Sequence, residues 1–167
     1  MPPASLHSLS DPDFSADAAA WLAAIVEDST DAILSKTLDG VITSWNAGAE
    51  QLFGYSRDEA IGQPISLIIP EDHLHEEADI VARLRLGERI GRLETVRRTR
   101  NAISIPVEVT ISPLRNAKGA VIGASTIARD ISDRLRHANE QALLLSEMRH
   151  RIKNLLSIVQ GLVTIGS

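Results

Sequence analysis

The sequence predicts an α+β fold, a five-stranded antiparallel sheet with helices on one face, preceded by one helix and followed by a long coiled-coil helix. Three observations predict it. Hydrophobic spacing changes from helical to two-residue alternation after residue 30. The segment ISIPVEVTIS, residues 103–112, puts Ile105, Val107, Val109 and Ile111 on one face and Ser104, Glu108, Thr110 and Ser112 on the other. From Ile131 onward there is no proline, and the first glycine is Gly161.

The elements follow in order. Residues 1–13, rich in Pro and Ser, read as a flexible leader, and the Ala- and Leu-rich stretch 16–28 as a helix. Residues 32–36 and 41–45 are strands around a tight turn at Asp39-Gly40. Asn46 caps a short helix over 47–53, and Ser56 caps another with Asp58 and Glu59 in its first turn. Pro70, followed by Glu71 and Asp72, opens a longer helix ending before Gly87. Residues 92–98, 103–112 and 120–129 complete the sheet, with the last two strands joined by the loop Asn116 to Gly119. The resulting organisation is a leader and N-terminal helix at 1–29, one α+β domain at 30–132, and a helical segment at 133–167. A cleft between helices and sheet is the natural place for a small ligand.

Composition narrows the function. Of 167 residues 44% are hydrophobic but only 3% aromatic, so the core is built from aliphatic side chains. A net charge of -5 argues against nucleic acid as a partner. Cysteine is absent, which removes disulfides and thiolate chemistry. No apolar run is long enough to span a bilayer and the N-terminus lacks the pattern of a signal peptide, so a cytoplasmic protein is expected. Five basic against three acidic residues over 133–167 are too small an excess for a membrane-surface helix.

The stretches DGVITSWNAGAEQLFGYSRDEAIGQP (39–64) and SPLRNAKGAVIGASTIARDIS (112–132), with Trp45-Asn46, Phe53 to Ser56 and Asp130 to Ser132, resemble the PAS sensor domains. The resemblance covers about 28–132 and implies the PAS fold. In the terminal helix a heptad frame places Ile131, Ala138, Leu145, Ile152 and Val159 at d and Leu135, Ala142, Arg149, Leu156 and Val163 at a. Met148, Leu155 and Leu162 widen the apolar stripe toward that of a four-helix bundle, which a homodimer would form. His150 falls outside the seam at b, beside Arg151 and Lys153, with Glu147 and Asn154 on its face.

On composition alone His150 is a solvated residue. Yet EMRHRIKNLLSIVQGLV, 147–163, resembles the phosphoacceptor and dimerisation helix of sensor histidine kinases of the HWE or HisKA_2 type, matching at His150, Arg151, Lys153 and Asn154. The resemblance implies a cytoplasmic two-component kinase in which the PAS domain controls phosphorylation of His150 through the helix, with a response regulator as partner. Arg151 stands where many such kinases have an acid, which makes Glu147 the candidate proton acceptor. ATP and Mg²⁺ belong to a catalytic domain that this stretch lacks, so no autokinase activity is expected of it alone. The competing reading is a PAS interaction module with a chemically silent His150.

The cofactor expectations are negative. PAS members that form a flavin-cysteinyl adduct need a cysteine, and there is none. Haem-binding members use a helix histidine at a position that falls here near Glu77, while His73 and His75 lie one turn earlier. His73 and His75, two residues apart on a helix, are expected to point apart and to form no metal site. The identity of any small PAS ligand stays open.

Overall fold

A computed structural model describes residues 12–166, with side chains from residue 16. The chain divides into two compact units, one ending at Asp130 and one beginning at Ile131. Of the expected leader at residues 1–13, residues 1–11 lie outside the described residues, and Pro12 and Asp13 belong to the first helix.

In the first unit, helix α1 (Pro12–Glu27) begins four residues earlier than the Ala-rich pattern suggested. Pro12 explains the extension, because proline is well tolerated in a first helical turn. Strands β1 (Ala32–Thr37) and β2 (Ile42–Trp45) form the expected hairpin, with Gly40 at φ +84° in its turn. Helices α2 (Ala47–Phe53) and α3 (Arg57–Ala60) follow. Ser56 and Glu59 close a complete capping box on α3. Helix α4 (His75–Arg85) precedes β3 (Ile90–Arg98), β4 (Ser104–Arg115) and β5 (Val121–Asp130).

All neighbouring strands pair antiparallel in the order β2-β1-β5-β4-β3. Ala32, Ala128 and Val109 align across the inner face, as do Leu34, Thr126 and Ile111. Ala32, Leu34, Val109, Ile111 and Ala128 meet Phe53, Ile65, Ile68, Ile80 and Leu84 from the helical layer in one core. Trp45 and Phe53 supply its aromatic component, their ring centroids 5.4 Å apart, and the Trp45 Nε1–H donates to the Tyr55 carbonyl at 3.0 Å. The Asn116 loop turns as predicted, its Oδ1 accepting from the amides of Lys118 and Ala120, both at 3.0 Å.

Asn46 ties the layers together. Its Oδ1 accepts from Ile33 N at 2.8 Å and Ala49 N at 2.9 Å, while its Nδ2 donates to Val26 O at 2.8 Å and Asp31 O at 3.0 Å. One buried amide thus joins the end of α1, the start of β1 and the start of α2. Gly48 makes the junction sterically feasible: a Cβ there would lie 2.3 Å from the Asp31 carbonyl oxygen.

Across the outer face, Arg129 on β5 donates Nε and Nη2 to Asp31 at 3.0 and 2.6 Å. These hydrogen bonds hold the Asp31 carboxyl below its ordinary value of 3.8, against the opposing effect of burial and with help from the charge of the same guanidinium.

The second unit is α5 (Ser132–Ile165), a single helix of 34 residues with no buried side chain.

Replacing Asn46 by Ala should destabilise the fold by about 3 kcal/mol, because four backbone groups each lose a hydrogen bond at once; urea denaturation of the variant measures it. A depressed carboxyl stabilises the fold above its unfolded value and loses that contribution as pH falls through the folded one. Replacing Arg129 by Gln should therefore move the Asp31 titration up toward 3.8, as read by carboxyl-carbon NMR, and remove its share of the acid sensitivity below pH 3.8.

Candidate functional site

Two-residue alternation along AILSKT sends Ala32, Leu34 and Lys36 to the inner face of β1. The third of these is a cation, and Lys36 is only 3% exposed. Burial pushes its ammonium below the usual lysine range, and the nearby Arg97 adds to that, while Glu77 opposes it by charge and hydrogen bond. Glu77 in the first turn of α4 is the ion-pair partner of Lys36, and its own side chain is 22% exposed.

A second cation enters from β3. Arg97, 6% exposed, donates Nη1 to Glu76 at 3.2 Å, to Thr95 Oγ1 at 3.2 Å and to the Val96 carbonyl at 2.8 Å. The Thr95 hydroxyl donates to the Glu76 carboxylate at 2.7 Å. Adjacent glutamates on one helical turn therefore neutralise two cations carried by different strands. Every buried side-chain polar atom among the described residues has a partner.

This network occupies the place where the sequence led us to expect a ligand cavity. The space bounded by Lys36, Glu77, Arg97, Phe53, Ile80 and Thr126 measures about 20 Å³. Such a void holds about one water molecule, whereas organic ligand pockets run to roughly 300–1,000 Å³. Long aliphatic and charged side chains fill the cleft between the helices and the sheet. With no cysteine in the chain a cysteinyl adduct cannot form, and Glu77, the residue near the haem-ligand position, is engaged with Lys36. Outside the core, an open groove of about 460 Å³ runs between the β1–β2 turn, Pro64 to Ser66 and α4, and Glu77 borders it as well.

His73 and His75 depart from the expected geometry. Residues Glu71–His73 form a 3-10 turn and the α-helix begins only at His75, so the two rings stack with centroids 6.5 Å apart instead of pointing away. Asp72 accepts from, or shares a proton with, His73 Nδ1 at 2.9 Å. Among the described residues no group of three or more His, Cys, Asp or Glu could hold a metal ion.

His150 lies within α5 with an exposed side chain, as do Glu147, Arg149, Arg151, Lys153 and Asn154. The a and d residues of that helix are exposed too, among them Leu145 at 59%, Ile152 at 54% and Val159 at 55%. Among the described residues no helix is long and apolar enough to cross a membrane.

A family model of the PAS fold matches residues 20–131. The signal transduction histidine-protein kinase AtoS of Escherichia coli is 29% identical over 150 residues, covering 84% of this chain and 24% of that protein. The sensor protein FixL of Bradyrhizobium diazoefficiens is 27% identical over 134 residues, covering 77% of this chain and 26% of that protein. The chain thus spans about a quarter of the length of these relatives. Among solved structures, the PAS domain of a Colwellia psychrerythraea protein superposes with TM-score 0.65 at 28% identity, covering 70% of this chain and 99% of that one. An RNA-binding light-oxygen-voltage receptor superposes with TM-score 0.68 at 21% identity over 90% of this chain and 43% of that one, a likeness of fold alone.

Replacing Glu77 by Gln leaves the Lys36 ammonium buried without its anion and should cost about 3 kcal/mol in urea denaturation. The double replacement Lys36→Met, Glu77→Gln removes both charges and should recover most of that loss.

Proposed function

Because the chain belongs to the PAS fold family, we propose that it is the sensory and dimerisation part of a cytoplasmic two-component histidine kinase, with His150 as phosphoacceptor. The observation that carries the reading is the exposed imidazole of His150 on an unbroken helix directly after the PAS unit. Relatives whose names are those of a histidine kinase and a sensor protein support it, and the AtoS match covers more of the chain than the PAS model does.

A neutral imidazole at physiological pH can attack the γ-phosphorus of ATP in line, provided its surroundings offset the charge of the incoming phosphoryl group. Arg149, Arg151 and Lys153 provide positive potential close to His150 along the helix. Glu147 lies three residues earlier, on the same helical face, where it can take the proton that the ring loses. The basic cluster and His-Arg-x-Lys-Asn pattern favour the HWE or HisKA_2 type, and a response regulator then receives the phosphoryl group.

Dimerisation follows from the uncovered heptad stripe. Leu145, Ile152, Leu156, Val159 and Val163 expose more than half of their surface, and a parallel homodimer would bury them in a four-helix arrangement. Helix α1 offers a second apolar strip, with Trp21 74%, Leu22 64% and Ile25 68% exposed. In this reading Asp130-Ile131-Ser132 transmits a change in the sheet to the paired helices, altering access to His150.

Incubating the full-length protein with ATP and Mg²⁺ should give an acid-labile, base-stable phosphate, and His150→Gln should abolish it. Label retained in that variant would overturn the assignment and leave the PAS unit as an interaction module.

A further inference from the structure

Helix α4 has two sides of different character. Ile80 and Leu84 are buried in the core, whereas Leu74, His75, Ala78, Ala82, Arg85 and Leu86 are all exposed. Steps of three and four residues place His75, Ala78, Ala82 and Arg85 along one stripe, which is the spacing of a two-helix seam. Leu74 and Leu86 flank the two ends of that stripe, 42% and 77% exposed. No large apolar side chain among the described residues of the first unit is more exposed than Leu86.

Charge is divided along the same stripe. Glu71 precedes its N-terminal end, and Arg85 and Arg89 stand at its C-terminal end. These three have no ion-pair partner among the described residues; the ion pairs nearby join Asp72 to His73 and Arg83 to Glu88. The helix macrodipole favours this order of charges within one chain, but it leaves Leu74 and Leu86 in water. An antiparallel neighbour of the same sequence accommodates both. A twofold axis beside the midpoint between Ala78 and Ala82 sets Ala78 against the second copy's Ala82, His75 against its Arg85 and Leu74 against its Leu86, and brings Glu71 towards its Arg89. One rotation makes every such pair twice, and the alanines let the helix axes approach closely. A parallel neighbour would instead oppose acid to acid and arginine to arginine.

We propose that this face of α4 is an interface for a second copy of the chain, docked antiparallel so that the acidic end of one helix meets the arginine end of the other. The stripe offers fewer residues than the roughly 20–30 per side of a stable interface, so the contact is transient. It joins two copies through the helix whose other side supplies Glu76 and Glu77, and so it bears on the element that those carboxylates tie to Arg97 and Lys36. The proposal rests on neither His150 nor α5, so it stands or falls separately from the kinase reading.

The chain has no cysteine, so introduced cysteines at exposed positions report the contact on the whole chain. In the antiparallel arrangement residue 75 of one copy lies beside residue 85 of the other, while two copies of the same residue stand about 15 Å apart along the axis. A disulfide needs Cα atoms within roughly 7 Å. A mixture of His75→Cys and Arg85→Cys chains should therefore form disulfide-linked dimers about tenfold faster than either variant alone, as read by non-reducing electrophoresis. Adding Arg89→Glu to both chains opposes it to Glu71 at each end and should slow that cross-linking severalfold. Placing Glu71→Arg in one chain and Arg89→Glu in the other restores opposite charges at both ends and should restore the rate. Equal rates for the mixture and the single variants, or a rate indifferent to these charge changes, would each overturn the proposal.

Discussion

The four hydrogen bonds of Asn46 hold the first unit in its arrangement. A primary amide presents acceptor and donor edges in one plane, and here both edges are used on backbone groups from three elements. The end of α1, the first residues of β1 and the start of α2 converge on it because Gly48 lets the helix approach the chain at Asp31. Once β1 is positioned in this way, its inner face sets the register of β5 and then β4, and the helical layer closes over Leu34, Val109 and Ile111.

Inside that layer the protein retains charges where a purely aliphatic core would be simpler. Two cations from strands at different positions in the sheet meet two carboxylates from a single turn of α4. Buried pairs of this kind are weak sources of net stability, because desolvation offsets most of their attraction, but they are costly to break singly. Their effect is to fix where α4 docks: a shift of the helix by one residue would deprive one cation of its partner. The filled cleft and the charged latch are thus the same feature, since these long side chains occupy the volume that a bound molecule would need.

Much of this was legible in the sequence, and the reasons are local. Alternation in ISIPVEVTIS predicted the buried row Val107, Val109 and Ile111, and Asn46 and Ser56 were recognisable as helix caps from residue type and position. Lys36 carried a readable signal as well, because the alternation that buries Ala32 and Leu34 also points a lysine inward. Its partner was not readable: Glu76 and Glu77 look like ordinary first-turn acids, and only the packing of α4 on the sheet brings them to Lys36 and Arg97. The 3-10 turn before His75 was hidden for a similar reason, since Pro70 with two acids is an equally good start for either helix type. The start of α1 at Pro12 was obscured by the polar composition of its first turn, which masked the helix-compatible proline.

Helix α5 has 34 residues, no glycine or proline among its first 29 positions, and no buried side chain. At 1.5 Å per residue it extends about 50 Å, and a helix left this bare draws little support from tertiary packing. Its order is therefore a thermodynamic variable. Anything that covers the aliphatic stripe adds its association energy to the coil-to-helix equilibrium, so helicity rises with the amount of that partner in solution. The segment carrying His150 consequently responds to mass action as well as to mechanical displacement.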